Sequence, residues 1–177
     1  MRRVATRCDA RGRDGIVRHP AEEHPTSRTA ATPAGVELRP AQPTDAPHVA
    51  ELLGELGYPS PVDETRRRLV RLLESVDDRI VVASRDGEPI GVGSVHRLNG
   101  LHDTNAIAFI TALVVTQRER GSGVGRALLA ALEDAARGWG CERILVTSAN
   151  RRADAHAFYE RGGYEGTGRR FARALVP

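Results

Sequence analysis

Residues 111–129 read Thr-Ala-Leu-Val-Val-Thr-Gln-Arg-Glu-Arg-Gly-Ser-Gly-Val-Gly-Arg-Ala-Leu-Leu, and the chemistry open to such a stretch is anion binding. Gly121, Gly123 and Gly125 recur at every second position, which lets the main chain come close to a ligand. An apolar strand enters this turn and an amphipathic helix leaves it. The turn therefore holds N–H groups that lack an intrahelical acceptor, at the positive end of a helix dipole. Phosphate suits such a site. Arg118, Arg120 and Arg126 add positive charge around it, and Ser122 and Val124 complete the turn.

Two familiar phosphate loops are excluded by spacing. A dinucleotide fingerprint needs G-x-G-x-x-G, but the run Gly121-Ser122-Gly123-Val124-Gly125 ends in Arg126, and no acidic ribose partner follows ~20 residues on. The P-loop ends in Gly-Lys-Ser/Thr, and every basic residue of the 26 here is arginine. The histidines at 19, 24, 48, 96, 102 and 156 show no ligand spacing, so no metal is expected.

The elements that must position the turn are readable from periodicity. Val36–Arg39 reads as a strand ended by Pro40. A helix capped by Thr44 or Asp45 follows, with Val49, Leu52, Leu53 and Leu56 on its apolar face. A second helix, Asp63–Ser75, turns Leu69, Leu72, Leu73 and Val76 inward and Arg66, Arg67, Arg68 and Arg71 outward to solvent. Ile80–Ser84 and Ile90–Val95 form a hairpin around Asp86-Gly87. Strand Ile107–Val115 and helix Val124–Gly138 flank the glycine turn. Strand Arg143–Ser148, helix Ala153–Arg161 and a closing antiparallel pair, Tyr164–Thr167 with Arg170–Val176, complete the order βααβββαβαββ. This is a mixed α/β domain.

The run Arg120-x-x-Gly123-x-Gly125 resembles the acyl-CoA signature [Q/R]-x-x-G-x-[G/A] of the GNAT N-acetyltransferase superfamily. Asn150, then Ala157-Phe158-Tyr159-Glu160, then Gly162-Gly163-Tyr164 resembles that family's asparagine, FYE helix and glycine-aromatic turn, with Tyr164 standing where phenylalanine is usual. The element order agrees from Val36 to about Val176. The resemblance implies a twisted, mostly antiparallel sheet with a splayed parallel strand pair, flanked by helices, and acetyl-CoA as cosubstrate. The pantetheine arm would then pair with the main chain of Leu113, Val114 and Val115, as an added strand does. The pyrophosphate would rest on the amides of residues 120–125, near Arg118 and Arg126. Asn150, whose position also fits a helix cap, would bind a pantetheine amide, and Phe158 would pack beside the cofactor.

Attack of a neutral amine on a thioester expels a thiolate, which needs a proton. By the same resemblance Tyr159 is the expected catalytic donor. The general base is open. The strand 107–115 carries no acid, and His96, His102 and Asp103 fit equally as surface residues, with ordered water as another route. Glu51, Glu55, Asp63, Glu64 and Asp103 could draw in a cationic acceptor, with Glu55 and Tyr58 of the first helices beside it. The reaction expected is N-acetyl transfer to a small-molecule amine. A protein N-terminus or lysine as acceptor, and a non-catalytic acyl-CoA sensor, are the alternatives. The resemblance also points to a homodimer.

Composition sets outer limits. The 177 residues make one domain, 35–177, after an arginine-rich segment, 1–34, that is too poor in large aliphatics to fold alone and is expected to be disordered. A net charge of +3 and the lack of interleaved aromatics argue against a nucleic-acid partner. Two cysteines, Cys8 and Cys141, suggest no disulfide and a reduced, cytoplasmic setting. No apolar run is long enough for a membrane helix.

Overall fold

β-Branched runs and turn residues build the sheet first. β1 (Val36–Pro40), β2 (Asp78–Arg85), β3 (Glu88–Leu98), β4 (Ile107–Val115) and β5 (Ile144–Val146) lie side by side in chain order. The computed structural model describes residues 31–101, 103–168 and 170–175. Neighbours pair antiparallel through β4, whereas β4 and β5 run parallel. That reversal follows from α3 (Val124–Gly138), which crosses between them.

Two helices cover one face of the sheet. α1 (Ala46–Leu56) and α2 (Val62–Leu73) bury Ala46, Val49, Leu52 and Leu69 against Ile80, Val82, Val92 and Val114. Helix α3 covers the other face, where Val124, Leu128, Leu129 and Leu132 are at most 1% exposed. Its close approach needs Gly91 and Gly93 on β3. A Cβ at either would stand 3.0 Å from a leucine methyl of α3. α4 (Ala153–Arg161) joins that second layer through Phe158 and Tyr159.

Most of the expected elements are present, with ends shifted by a few residues. Two readings change. Helix α2 stops at Leu73, so Val76 lies beyond it and is 78% exposed rather than turned inward. The closing pair of strands is absent among the described residues: 164–168 and 170–175 hold no strand, and Val176 lies outside them. The physical reason is local. Gly166 and Gly168 weaken any strand here, and Phe171 and Leu175, each 89% exposed, bury nothing that would hold a pair together. Most of the 1–34 segment also lies outside the described residues. Among those described, no helix is long and apolar enough to cross a membrane.

Candidate functional site

The sheet opens at its β4–β5 side. β5 meets β4 only at Ala108, Phe109 and Ile110. Beyond Ile110, the edge of β4 away from β3 has no strand neighbour among the described residues, so Thr111–Val115 presents main-chain groups there. A groove of about 580 Å³ follows this free stretch. Leu113, Val114 and Val115 form one wall. Glu119, Arg120, Gly121, Gly123, Gly125 and Arg126 form its end, and Arg152, Phe158, Tyr159 and Arg161 the other wall.

The glycine turn has the conformation its composition allows. Gly121 and Gly123 have φ of +81° and +92°, a left-handed backbone that a Cβ would strain. Gly123 is the N-cap of α3, and its carbonyl accepts the N–H of Arg126 and Ala127, both at 3.1 Å. The N–H groups of Gly121, Gly123, Val124 and Gly125 have no backbone acceptor among the described residues. They lie at the start of a 15-residue helix, with Arg120 and Arg126 beside them. Such a nest of donors suits a pyrophosphate, so the donor set fits coenzyme A.

Contacts within the turn and from the residues around it hold it in place. Ser122 donates from Oγ to the carbonyl of Glu119 at 2.6 Å. Glu119 is ion-paired with Arg85 at 3.1 Å. Glu55, at the end of α1, accepts from Thr116 Oγ1 at 3.0 Å and from the Gln117 N–H at 2.9 Å, and lies 3.5 Å from Arg120. Val124 has its side chain wholly in the core. Arg118 points away to an ion pair with Glu88 and does not line the groove.

Tyr159 stands on the α4 wall. Its ring meets Phe158 edge-on at 5.2 Å and Tyr164 at 5.5 Å. Tyr164 in turn donates its hydroxyl to Glu133 at 3.1 Å, which fixes that ring from behind. Burial raises the pKa of the Tyr159 phenol above its ordinary value, against a smaller opposing pull from Arg152. The phenol therefore stays protonated and able to donate. Gly162 keeps the helix end tight. A Cβ there would come within 2.9 Å of the Tyr159 carbonyl.

Several other expected site residues lie elsewhere. Asn150 is an exposed turn residue outside the groove lining. His96 pairs with Asp78 at 2.9 Å on strands β3 and β2 and stands opposite Phe109, four residues along β4 from the nearest groove residue, Leu113. Asp103 binds Arg143 beside the start of β5. His102 lies outside the described residues. Glu55 is bonded to the loop that leads into the glycine turn, through Thr116 and Gln117. Arg152, Asp154, Ala155 and Arg161 were not anticipated at the groove. A signal for all four existed, since Arg152, Ala155 and Tyr159 follow one helical stripe, as do Asp154, Phe158 and Arg161.

Comparison with known proteins agrees with this geometry. The profile of the Acetyltransferase (GNAT) family matches residues 47–164, from the start of α1 to the turn after α4. The chain belongs to that family, a family of acyl-transferring enzymes. It is 42% identical over 94 residues to an aminoalkylphosphonate N-acetyltransferase of Salmonella typhimurium, a match covering 53% of this chain and 61%, less than two thirds, of that protein. It is 32% identical over 137 residues to an aminoglycoside N(6')-acetyltransferase type 1 of Stenotrophomonas maltophilia, covering 75% of this chain and 88% of that protein. In three dimensions it resembles the aminoglycoside N-acetyltransferase AAC(6')-Iy in complex with CoA, with a TM-score of 0.70 at 21% identity over 80% of this chain and 95% of the other. At that identity the likeness concerns the fold.

Proposed function

We propose that this protein transfers the acetyl group of acetyl-CoA to a primary amine of a small molecule, by direct attack of the amine on the thioester. One observation carries the reading. Four N–H groups with no backbone acceptor among the described residues, at Gly121, Gly123, Val124 and Gly125, close one end of a groove whose wall is a β-strand edge without a strand neighbour among those residues. A diphosphate joined to an extended amide chain matches both features at once.

Each wall then has a task. The amides of the glycine turn, with Arg120 and Arg126, hold the diphosphate. Main-chain groups of Leu113, Val114 and Val115 align the pantetheine amides, and an N–H of this stretch faces the thioester carbonyl, where it stabilises charge developing on oxygen. Tyr159, neutral because it is buried, gives its proton to the departing thiolate. The amine must arrive uncharged. The groove carboxylates are Glu119, already ion-paired with Arg85, and Asp154, so water is the proposed carrier of the amine proton to solvent. Small-molecule amines as acceptors are supported by the named substrates of the two relatives, an aminoalkylphosphonate and an aminoglycoside.

Titration calorimetry with acetyl-CoA, followed by thiol release in the presence of a panel of amines, tests the proposal. Saturable binding and amine-dependent release are expected. No binding to the full chain would overturn it.

A further inference from the structure

The groove holds more positive charge than one diphosphate needs. Among the described residues four arginines line it, Arg120, Arg126, Arg152 and Arg161. Of its two carboxylates, Glu119 is already paired with Arg85. Arg120 lies 3.5 Å from Glu55, and Arg126 donates from Nη1 to the Arg161 carbonyl at 3.5 Å. The guanidinium groups of Arg152 and Arg161 are different. Neither has a hydrogen-bond or ion-pair partner among the described residues, Asp154 included. Each therefore turns a set of unfilled donors towards the groove.

These two arginines stand on different flanks of α4. Arg152, Ala155 and Tyr159 are half-buried, whereas Asp154 and Arg161 are exposed. Arg161 is also held beside the glycine turn. A Cβ at Gly125 would lie 3.6 Å from the ring of Phe158, three residues before Arg161, and Arg126 of the same turn bonds the Arg161 carbonyl. That bond matters for charge. The carbonyl end of a helix repels anions, and Arg126 offsets this at the end of α4. With pantetheine along Leu113–Val115, the nucleotide half of coenzyme A leaves the turn in the other direction, towards solvent. It then passes the exposed flank of α4.

We propose that Arg161, with Arg126 alongside, holds a second phosphate group, the 3'-phosphate on the ribose of coenzyme A, so that the protein discriminates the coenzyme from its 3'-dephospho form. The inference rests on the acetyl-CoA reading above. The two phosphate groups differ in what they ask of a site. The diphosphate lies within the chain of the cofactor and suits a nest of main-chain donors. A monoester is terminal, carries a charge of about −1.5 to −2 at neutral pH and offers three oxygens, which suits a guanidinium fork. Arg152 is on the wrong flank for this task. Its charge falls on the phenol of Tyr159, at the thioester end.

Calorimetric titration of the full chain with coenzyme A and with 3'-dephospho-coenzyme A, at low salt, reads the effect without turnover. The native protein is expected to bind coenzyme A about tenfold more tightly. Arg161→Gln should weaken coenzyme A to the level of the dephospho compound and leave the affinity of the latter unchanged. The Arg161 side chain is exposed and its bond to Arg126 is through the main chain, so glutamine keeps the local structure. Arg152→Gln should preserve the ratio. In the native protein the ratio should shrink as the monoester takes up a proton near about pH 6, and as added salt screens the exposed pair. Equal affinities in the native protein overturn the proposal, as does a preference that survives Arg161→Gln or is lost in Arg152→Gln. If neither compound binds, the acetyl-CoA reading itself fails, so the two failures are distinct.

Discussion

Glu55 accepts the backbone N–H of Gln117 at 2.9 Å, so the last turn of α1 is tied to the loop that carries the glycine turn. The same carboxylate takes the Thr116 hydroxyl and lies 3.5 Å from Arg120. It therefore fixes the loop by three contacts at once, from a helix on the other side of β4. Glu55→Gln keeps much of this bonding, whereas Glu55→Ala removes it all. The expected outcome is a rise in KM for acetyl-CoA, roughly tenfold for alanine and smaller for glutamine, with kcat changed less. Steady-state kinetics on the two variants checks this. Equal effects on kcat and KM would place Glu55 in the reacting centre instead.

Tyr159 is the residue whose loss should fall on kcat. Its phenol lines the groove and has no hydrogen-bond partner among the described residues, and burial raises its pKa above the usual 10.0. Tyr159→Phe keeps the ring contacts with Phe158 and Tyr164 while removing the proton. A fall in kcat on the order of 10²-fold or more is expected, with KM for acetyl-CoA nearly constant. The pH profile has a definite sign. A donor with a raised pKa is lost only above about pH 10, so activity rises through the alkaline range as the acceptor amine loses its proton, and the descending limb belongs to Tyr159. A native descending limb well below that pH would argue for another donor.

Gly123 and Gly125 divide the labour of the turn. Gly123 has φ +92°, and a Cβ there would also stand 3.3 Å from Pro33. Gly123→Ala should lower stability by roughly 1–2 kcal/mol through backbone strain. At Gly125 no such φ is required, and a Cβ would make only ordinary contacts, 3.6 Å from the Phe158 ring. Gly125→Ala should therefore leave stability within about 0.5 kcal/mol and still weaken acetyl-CoA, because the methyl enters the groove lining. Denaturant melts beside calorimetric titrations separate the two effects.

What could be read from the sequence was mostly local. Strand β4, the glycine turn and α3 are consecutive, and their period and punctuation define them to the residue. The FYE helix is equally self-contained. Long-range partners were not readable. That Glu55 meets Gln117 depends on α1 crossing β4, and that Arg118 meets Glu88 depends on where the β2–β3 hairpin ends. The closing strands failed for a related reason. Their alternation was weak, and whether such a segment joins a sheet depends on burial that it does not itself supply. A cavity of about 120 Å³ beside Thr65, between α1, α2 and the sheet, was invisible too, since a void is set by how the two helices lean on the sheet and leaves no pattern along the chain.

Asp45 is the anchor for that leaning helix layer, and it makes acid stability testable. Its carboxylate binds Arg39 through two contacts, at 2.7 and 2.8 Å, and accepts the Gln42 N–H at 2.7 Å, joining β1 to the start of α1. Burial alone would raise its pKa. The Arg39 and Gln42 hydrogen bonds and the Arg39 charge outweigh that and hold it below the usual carboxylate value of 3.8. A depressed carboxyl favours the folded state wherever the unfolded chain is also ionised, so this contribution is complete above about pH 4 and disappears as pH falls through the lower folded value. Asp45→Asn loses the charge-assisted pair and leaves Arg39 without its carboxylate. A loss of about 2 kcal/mol at pH 7 is expected, shrinking as the pH drops below 4 because the native protein then loses the same interaction. Urea melts of both proteins from pH 7 to pH 3 measure the gap. A gap that stays constant on acidification would show that Asp45 acts through shape and not through charge.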